Sequence, residues 1–199
     1  MTIDTRLTDG GHLYPKPVGA KNKDTKFMTE LILMKNPIPL LDALKTIPWF
    51  LDFNVKQLDR IASISSIMEV EAGETIFCEG DRVDNLYIIL DGQVSVDITV
   101  PAQGTKRIYV AEPLDILGWS KMTPVVRQRV ASTQAITDTH LLVVNGDDLA
   151  ALCEEDHHIG YVVVRRLANV VATNLLHTKL QLLDLILQLS VEHTDNPAV

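Results

Sequence analysis

The side chains best suited to hold a small ligand are two arginines beyond the middle of the chain. Arg127 and Arg129 lie two residues apart. A guanidinium can hold a phosphate or a carboxylate through two parallel hydrogen bonds, so Arg129, with Arg127 nearby, is a candidate anion-binding residue. The sequence also contains 26 acidic residues, and an ion pair with one of them is the structural alternative. The residues alone leave both interpretations open.

A second group of reactive side chains lies further along the chain. Cys153 and His157 are four residues apart at the start of a predicted helix, with His158 adjacent, so two types of metal ligand share one face. Two ligands do not make a site, and we interpret them as a buried cysteine and solvent-facing histidines. The sequence holds no Ser-His-Asp order, no Walker loop and no supported pair of carboxylates. We therefore expect no catalytic residues, no metal and no enzyme activity.

The elements that position Arg129 form an all-β unit. Between Ile67 and Asn145, apolar and polar residues alternate with a period of two, in short runs separated by turn residues. Glycines, often beside aspartate, punctuate these runs at spacings typical of a β sandwich or barrel. The pattern predicts about eight strands.

Helical patterns flank the β unit. Apolar residues recur at helical spacing from Leu40 until Pro48 interrupts them, and Asn54 is placed to cap a second helix. The first 27 residues show no apolar period, which is typical of a flexible arm. The chain is thus predicted to comprise an arm (1–27), helices leading into the β unit (28–66), the β unit (67–148), one long helix (149–190) and a tail (191–199).

The string EAGETIFCEGDRVDNLYIILDGQVSV closely resembles the first half of the β-roll in the cyclic AMP receptor protein (Crp/Fnr-type) family. The shared pattern is a Gly-Glu-x-Ile-Phe run, a Gly-Asp turn, a Leu-Tyr-x-Ile strand and a Gly-x-Val hairpin. The matching positions are Gly73, Gly80, Asp81, Leu86, Tyr87, Ile89, Gly92 and Val94. The resemblance extends from about Leu41 to about Leu189, roughly three quarters of the chain.

The resemblance implies a mainly β fold with flanking helices. Its core would be a cyclic-nucleotide-binding-type double-stranded β-helix, a jelly-roll-like β-roll, followed by a long C-terminal dimerisation helix. Phe77 and Tyr87 fall on the apolar side of their strands, so we expect them in the core rather than against a ligand.

The resemblance also implies a ligand site, the phosphate-binding cassette, in the string DILGWSKMTPVVRQRVASTQ. Gly118 matches the cassette glycine and is followed by Trp119 and Ser120. Arg129 matches the arginine that holds the cyclic phosphate, and Ala131 matches the family's alanine. Trp119 stands in the place of the glutamate that binds the ribose. Val130 stands in the place of a hydroxyl residue.

These two departures predict a degenerate cassette. An indole cannot accept a hydrogen bond, and it would compete with a ribose for space if it faced the pocket. Losing the charged contact costs about 1.5–3 kcal/mol and losing the hydroxyl contact about 0.5–1.5 kcal/mol. We therefore expect no certain cofactor, and the ligand class is a cyclic nucleotide, weakly bound, or another small anion at Arg129.

The predicted long helix carries a heptad seam. Its members are Val164, Ala168, Val171, Leu175, Thr178, Leu182, Leu185 and Leu189. Further apolar residues lie outside the seam, so one side of the helix can cover the β-roll while another meets a second copy. The sequence predicts a homodimer through this helix.

Two polar residues interrupt the apolar pattern of that helix. In the family, a residue of this helix reaches the nucleotide base, and Asn174, next to Thr173, aligns with it. Asn174 would either hydrogen-bond a base or fix the register of a dimer. The sequence does not decide between these roles.

Charge and cysteine content limit partners and location. The formal net charge is -8, which repels nucleic-acid backbones and acidic membranes. Only VEHTDNPAV follows Ser190, so we expect no helix-turn-helix domain and no nucleic-acid binding by this chain alone. Two cysteines, no signal-peptide pattern and no uninterrupted apolar run of roughly 18 residues predict a cytoplasmic protein without membrane contact.

These observations predict a stand-alone cyclic nucleotide-binding-like regulatory or sensor domain. It would be dimeric, carry a degenerate cassette, and signal through a small ligand or a protein partner. The alternative is a structural or interaction protein that keeps the scaffold and binds no nucleotide.

Overall fold

The computed structural model of the chain describes residues 40–194, except for 83, 124, 125 and 127. The predicted arm over 1–27, the first part of the predicted 28–66 helices and the last five residues of the tail lie outside the described residues. The side chains of 43 and 188–194 are likewise not described.

Two short helices precede the β unit. Helix α1 spans Leu40–Thr46, a 3-10 helix spans Pro48–Phe50, and α2 spans Val55–Ser63. Asn54 caps α2 as predicted: its side chain accepts a hydrogen bond from the Gln57 amide, and the Gln57 side chain accepts one from the Asn54 amide. Pro48 stands at the start of the 3-10 helix, where a missing N–H costs nothing.

Eight strands and two further helices follow, with a second 3-10 helix between β6 and β7. In chain order they are β1 (Ser65–Val70), β2 (Thr75–Phe77), β3 (Asn85–Asp91), β4 (Val94–Val100), β5 (Gly104–Ala111), β6 (Ile116–Leu117), the 3-10 helix (Trp119–Met122), β7 (Ser132–Ala135), β8 (Thr139–Asn145), α3 (Gly146–Glu155) and α4 (His157–Thr194).

The strands form two antiparallel sheets of four. The first has the order β1-β8-β3-β6 and the second β2-β7-β4-β5. Most neighbouring strands are far apart in sequence, as in β2 with β7 and β3 with β8, whereas β4 and β5 form a hairpin. This arrangement confirms the predicted β-roll with flanking helices.

Strand β3 of the first sheet is buried on both faces. Leu86, Ile88 and Leu90 face the helices, whereas Tyr87 and Ile89 face the second sheet, because successive side chains of a strand point to opposite faces. We call the apolar cluster between the helices and the first sheet the outer core, and the cluster between the two sheets the inner core. The inner core comprises Val70, Tyr87, Ile89, Val94, Val96, Ala111, Leu117, Ala135 and Leu141.

The segment predicted as one helix over 149–190 is divided at Asp156. Its Oδ1 accepts hydrogen bonds from the amides of His158 and Ile159, and its Oδ2 accepts one from Gln57 Nε2. A side chain that binds the following amides in this way caps a new helix instead of continuing the old one. Helix α3 therefore ends at Glu155 and α4 begins at His157.

The surroundings of α4 differ along its length. Its first turns bury Ile159, Val162, Val163 and Leu167 in the outer core, and Arg165 and Arg166 both bind Asp52, at 2.8 and 2.7 Å. Beyond these turns many of its apolar side chains are exposed: Val171, Leu175, Leu176, Leu180, Leu182, Leu183, Leu185, Ile186 and Leu187.

Among the described residues, one helical stretch is long and apolar enough to cross a membrane. It is His157–Leu187, with a mean hydropathy of 1.2. Length and composition alone are weak evidence for a span, because helices of soluble proteins can satisfy the same criterion.

Candidate functional site

The backbone of Arg129 is held by the loop that joins β2 to β3. Its amide donates to Asp81 O at 2.8 Å, and its carbonyl accepts from Gly80 N at 2.9 Å. The next residues continue this pairing, because Ser132 Oγ accepts from the Glu79 amide at 2.9 Å. These hydrogen bonds therefore fix the backbone of Arg129 beside the Gly-Asp turn.

The side chain of Arg129 is buried, with 5% of its surface exposed. Its Cζ lies 4.2 Å from the centre of the Phe77 ring and 5.6 Å from that of Tyr87. Nη2 donates to Asn85 O at 2.8 Å. Nε and Nη1 are buried and have no hydrogen-bond partner. The guanidinium thus keeps two unused donors.

Gly118 forms the opposite wall of the guanidinium site. Its φ of 72° lies in the left-handed region, and a Cβ at this position would collide with Arg129 Nη1 and with Asn85 O. Only glycine allows both the conformation and the close approach. The structure therefore brings together Gly118 and Arg129, which the sequence placed in one cassette.

A cavity of about 310 Å³ lies beside Arg129. Its lining residues are Ile76, Phe77, Asp81, Arg82, Asp84, Asn85, Tyr87 and Arg129. Phe77 and Tyr87, predicted only as core residues, do contribute to the inner core, and their rings also form a wall of this cavity. The two rings can pack in the core and line the cavity because both side chains point inward from their strands.

Burial dominates the electrostatics of the site. It lowers the pKa of Arg129 below its usual range, while Tyr87, Asp84 and Asp81 act in the opposite direction. Neither carboxylate supplies a partner for Nε or Nη1. Asp81 Oδ2 accepts from the Cys78 amide at 2.7 Å, and Asp84 pairs with the exposed Arg82 at 3.2 Å.

The 3-10 helix after Gly118 faces away from the cavity. Trp119 packs against the outer core and is absent from the lining of the cavity, and Ser120 is buried. Lys121 anchors this helix to the start of α3 through an ion pair with Asp147 at 2.7 Å. The indole therefore does not fill the cavity beside Arg129.

The residues after Arg129 alternate between solvent and interior. Val130 points outward, with 67% of its surface exposed, whereas Ala131 packs against the inner core. On α4, Thr173 is exposed and Asn174 is half-buried, and neither lines the cavity. Their predicted contact with a ligand stays a prediction.

Sequence reasoning did not assign Asn85, Asp84 or Arg82 to the site. Asn85 contributes only its backbone carbonyl to Arg129, and a carbonyl has no sequence signature. Asp84 and Arg82 occupy the loop between the Gly-Asp turn and the Leu-Tyr strand. The feature of the sequence that could have indicated them is their position just after the Gly-Asp turn.

Comparisons with known proteins agree with this architecture. Residues 67–156 match the family model described as the cyclic nucleotide-binding domain. A solved structure from Geobacter metallireducens, described as that of a cyclic nucleotide-binding protein, is 25% identical, with a TM-score of 0.60 over 67% of this chain and 96% of that chain. The catabolite activator protein of Thermus thermophilus is 26% identical, with a TM-score of 0.57 over 70% and 62% of the two chains. Residues 67–156 are therefore similar to cyclic nucleotide-binding domains, and the fold has structural neighbours in the Crp/Fnr-type family, which confirms the resemblance seen in the sequence.

A curated relative described as a potassium channel protein, from Rhodopseudomonas palustris, is 24% identical over 115 residues. The match covers 57% of this chain and 27% of the channel protein. The chain therefore spans about a quarter of the length of that relative.

Proposed function

We propose that this chain is a non-enzymatic regulatory domain that binds a small anionic ligand beside Arg129 and acts as a dimer through α4. The observation that carries the first part is the pair of unpartnered donors, Nε and Nη1, on a guanidinium that is almost fully buried.

A buried charge is costly unless it is paired. In this site the guanidinium receives one neutral carbonyl and two aromatic faces, and cation–π contacts of this kind contribute about 0.5–2 kcal/mol each. Each of the two unused N–H groups can donate a charge-assisted hydrogen bond to an oxygen of a phosphate or a carboxylate. A bound anion would therefore pair with the buried guanidinium and offset the cost of burial.

The ligand class is a cyclic nucleotide or another small anion. The cassette is degenerate because Trp119 and Val130 offer neither a carboxylate nor a hydroxyl. Since Trp119 packs into the outer core, it leaves room beside Arg129, so cyclic nucleotides are weak ligands rather than sterically excluded ones. The unpaired guanidinium favours a ligand-binding role over the alternative of a scaffold without ligand.

The dimer rests on the exposed side of α4. One face of the first turns of the helix is covered by the outer core, whereas five apolar seam residues are exposed: Val164, Val171, Leu175, Leu182 and Leu185. Monomeric soluble proteins rarely expose a contiguous apolar stripe of this length. A second copy of the helix would cover it through the heptad pattern.

We place the domain in the cytoplasm, with a protein partner downstream and no nucleic acid bound by this chain. Cys78 and Cys153 are free thiols, which suits a reducing compartment. The net charge of -8 opposes binding to nucleic acid.

A thermal-shift experiment tests the anion site. We expect inorganic phosphate, cyclic AMP or cyclic GMP at about 10 mM to raise the melting temperature of the wild type, since a ligand at 100 times its Kd adds about 2.7 kcal/mol to stability. Arg129→Gln should abolish the shift. Arg82→Gln is the matched control, because Arg82 lines the same cavity but is exposed and paired with Asp84, and it should keep most of the shift. An unshifted wild type, or an Arg129→Gln variant that shifts equally, contradicts the proposal.

A further inference from the structure

The Thr133 hydroxyl is another buried polar group of the β-roll that lacks a hydrogen-bond partner. It is 1% exposed, and its Oγ1 makes no hydrogen bond. Among the described residues, five buried side-chain atoms lack a partner, and three of them belong to Arg129 and Thr133. Unpaired polar atoms are rare in protein interiors, so their concentration in two nearby residues needs a physical reason.

The strand register places Thr133 on the inner face of the second sheet. Thr133 on β7 lies opposite Val96 on β4 and opposite Phe77 on β2. Paired residues of antiparallel strands point to the same face, and Val96 and Phe77 both belong to the inner core or pack against it. The Thr133 hydroxyl is therefore directed into the space between the two sheets.

Phe77 connects Thr133 to the anion site. The ring that lies 4.2 Å from the Arg129 guanidinium belongs to the residue directly across from Thr133. Arg129 and Thr133 are four residues apart, about 13 Å along an extended chain, and the arginine side chain reaches back over Phe77. Thr133 does not itself line the cavity beside Arg129, so a bare phosphate held there would not contact it, whereas a larger ligand that extends past the Phe77 ring would.

We infer that Thr133 is a specificity-determining residue of this site: its hydroxyl hydrogen-bonds the body of the ligand whose anionic group Arg129 holds. The ligand is then an anion joined to a largely apolar or aromatic body that carries one hydrogen-bonding atom, because the surroundings of Thr133 are otherwise apolar. This inference rests on the proposed function and adds a second contact to the same site.

The first test uses the ligand-free protein. Thr133→Val keeps the shape and removes an unpaired hydroxyl, so the melting temperature should stay the same or rise. Thr139→Val is the matched control, because Thr139 is equally buried and its Oγ1 donates to Thr137 O at 2.8 Å. It should lower the melting temperature. A Thr133→Val variant destabilised as much as Thr139→Val would show that the hydroxyl already has a protein partner, and would overturn the inference.

The second test measures binding of two probes, cyclic AMP and inorganic phosphate, by NMR titration. Thr133→Val should weaken cyclic AMP binding about five- to tenfold and leave phosphate binding unchanged, while Thr133→Ser should retain cyclic AMP binding. Arg129→Gln should weaken both. Unchanged cyclic AMP binding by Thr133→Val, together with a loss in Arg129→Gln, overturns the inference and leaves the proposed function standing. Absence of any binding to the wild type overturns both.

Discussion

The dimer seam of α4 permits a quantitative test. The change is the double substitution Leu175→Asp and Leu182→Asp, one heptad apart on the seam. These side chains are 69% and 55% exposed, and burying a whole leucine contributes about 2 kcal/mol. Covering the exposed fractions therefore contributes about 2.5 kcal/mol per protomer, or about 5 kcal/mol per dimer.

This loss corresponds to a dissociation constant more than about a thousandfold higher, since each 1.4 kcal/mol is a factor of ten. Unpaired carboxylates at the interface add to the loss. Analytical ultracentrifugation over micromolar concentrations should find a dimer for the wild type and a monomer for the double variant.

The matched control is Leu180→Asp with Leu187→Asp. These residues have the same spacing, are 42% and 64% exposed, and lie away from the seam, so this variant should stay dimeric. A monomeric wild type would refute the dimer. Equal dissociation of both double variants would refute the seam as its interface.

Three further predictions concern the cassette, a cysteine and acid stability. Calorimetry should give Kd values above about 100 μM for cyclic AMP and cyclic GMP, because Trp119 offers the ribose no acceptor; a low-micromolar Kd would contradict this. Burial raises the pKa of Cys153 to about 11, so at pH 8 iodoacetamide should modify it about a hundredfold more slowly than an ordinary thiol; mass spectrometry should find the exposed Cys78 modified first. The hydrogen bond from Gln57 holds the pKa of Asp156 below its usual range, so its contribution to stability is present above the ordinary carboxyl pKa and lost as pH falls through the lowered one. When the pH is lowered below about 4, the free energy of unfolding measured in urea should therefore fall less for Asp156→Asn than for the wild type. Equal decreases would contradict this.

Local sequence patterns determined much of the architecture. The strand pattern predicted that Phe77 and Tyr87 lie in the core, because successive side chains of a strand point to opposite faces, and both contribute to the inner core. Asn54 followed three residues later by Gln57 specified the start of α2 through side-chain bonds to nearby amides. The glycine at 118 and the arginine at 129 belong to one recognisable cassette, and the structure places them in contact.

The exposed seam of α4 was also readable from the sequence. A helix places residues three and four apart on one face, so the heptad positions share a side whatever the rest of the fold does. The break at Asp156 was missed, because it depends on Gln57 and on two amides that the aspartate captures, and the apolar period continues across it.

Only the tertiary structure decided where the side chains at the cassette positions lie. Trp119 could not be oriented from sequence, because its direction depends on helices packed against it from other parts of the chain. The unpaired state of Arg129 and Thr133 depends on strands that meet across more than 50 residues, as β2 meets β7. A periodic pattern fixes the face on which a side chain lies, whereas the partners it finds there are set by long-range pairing.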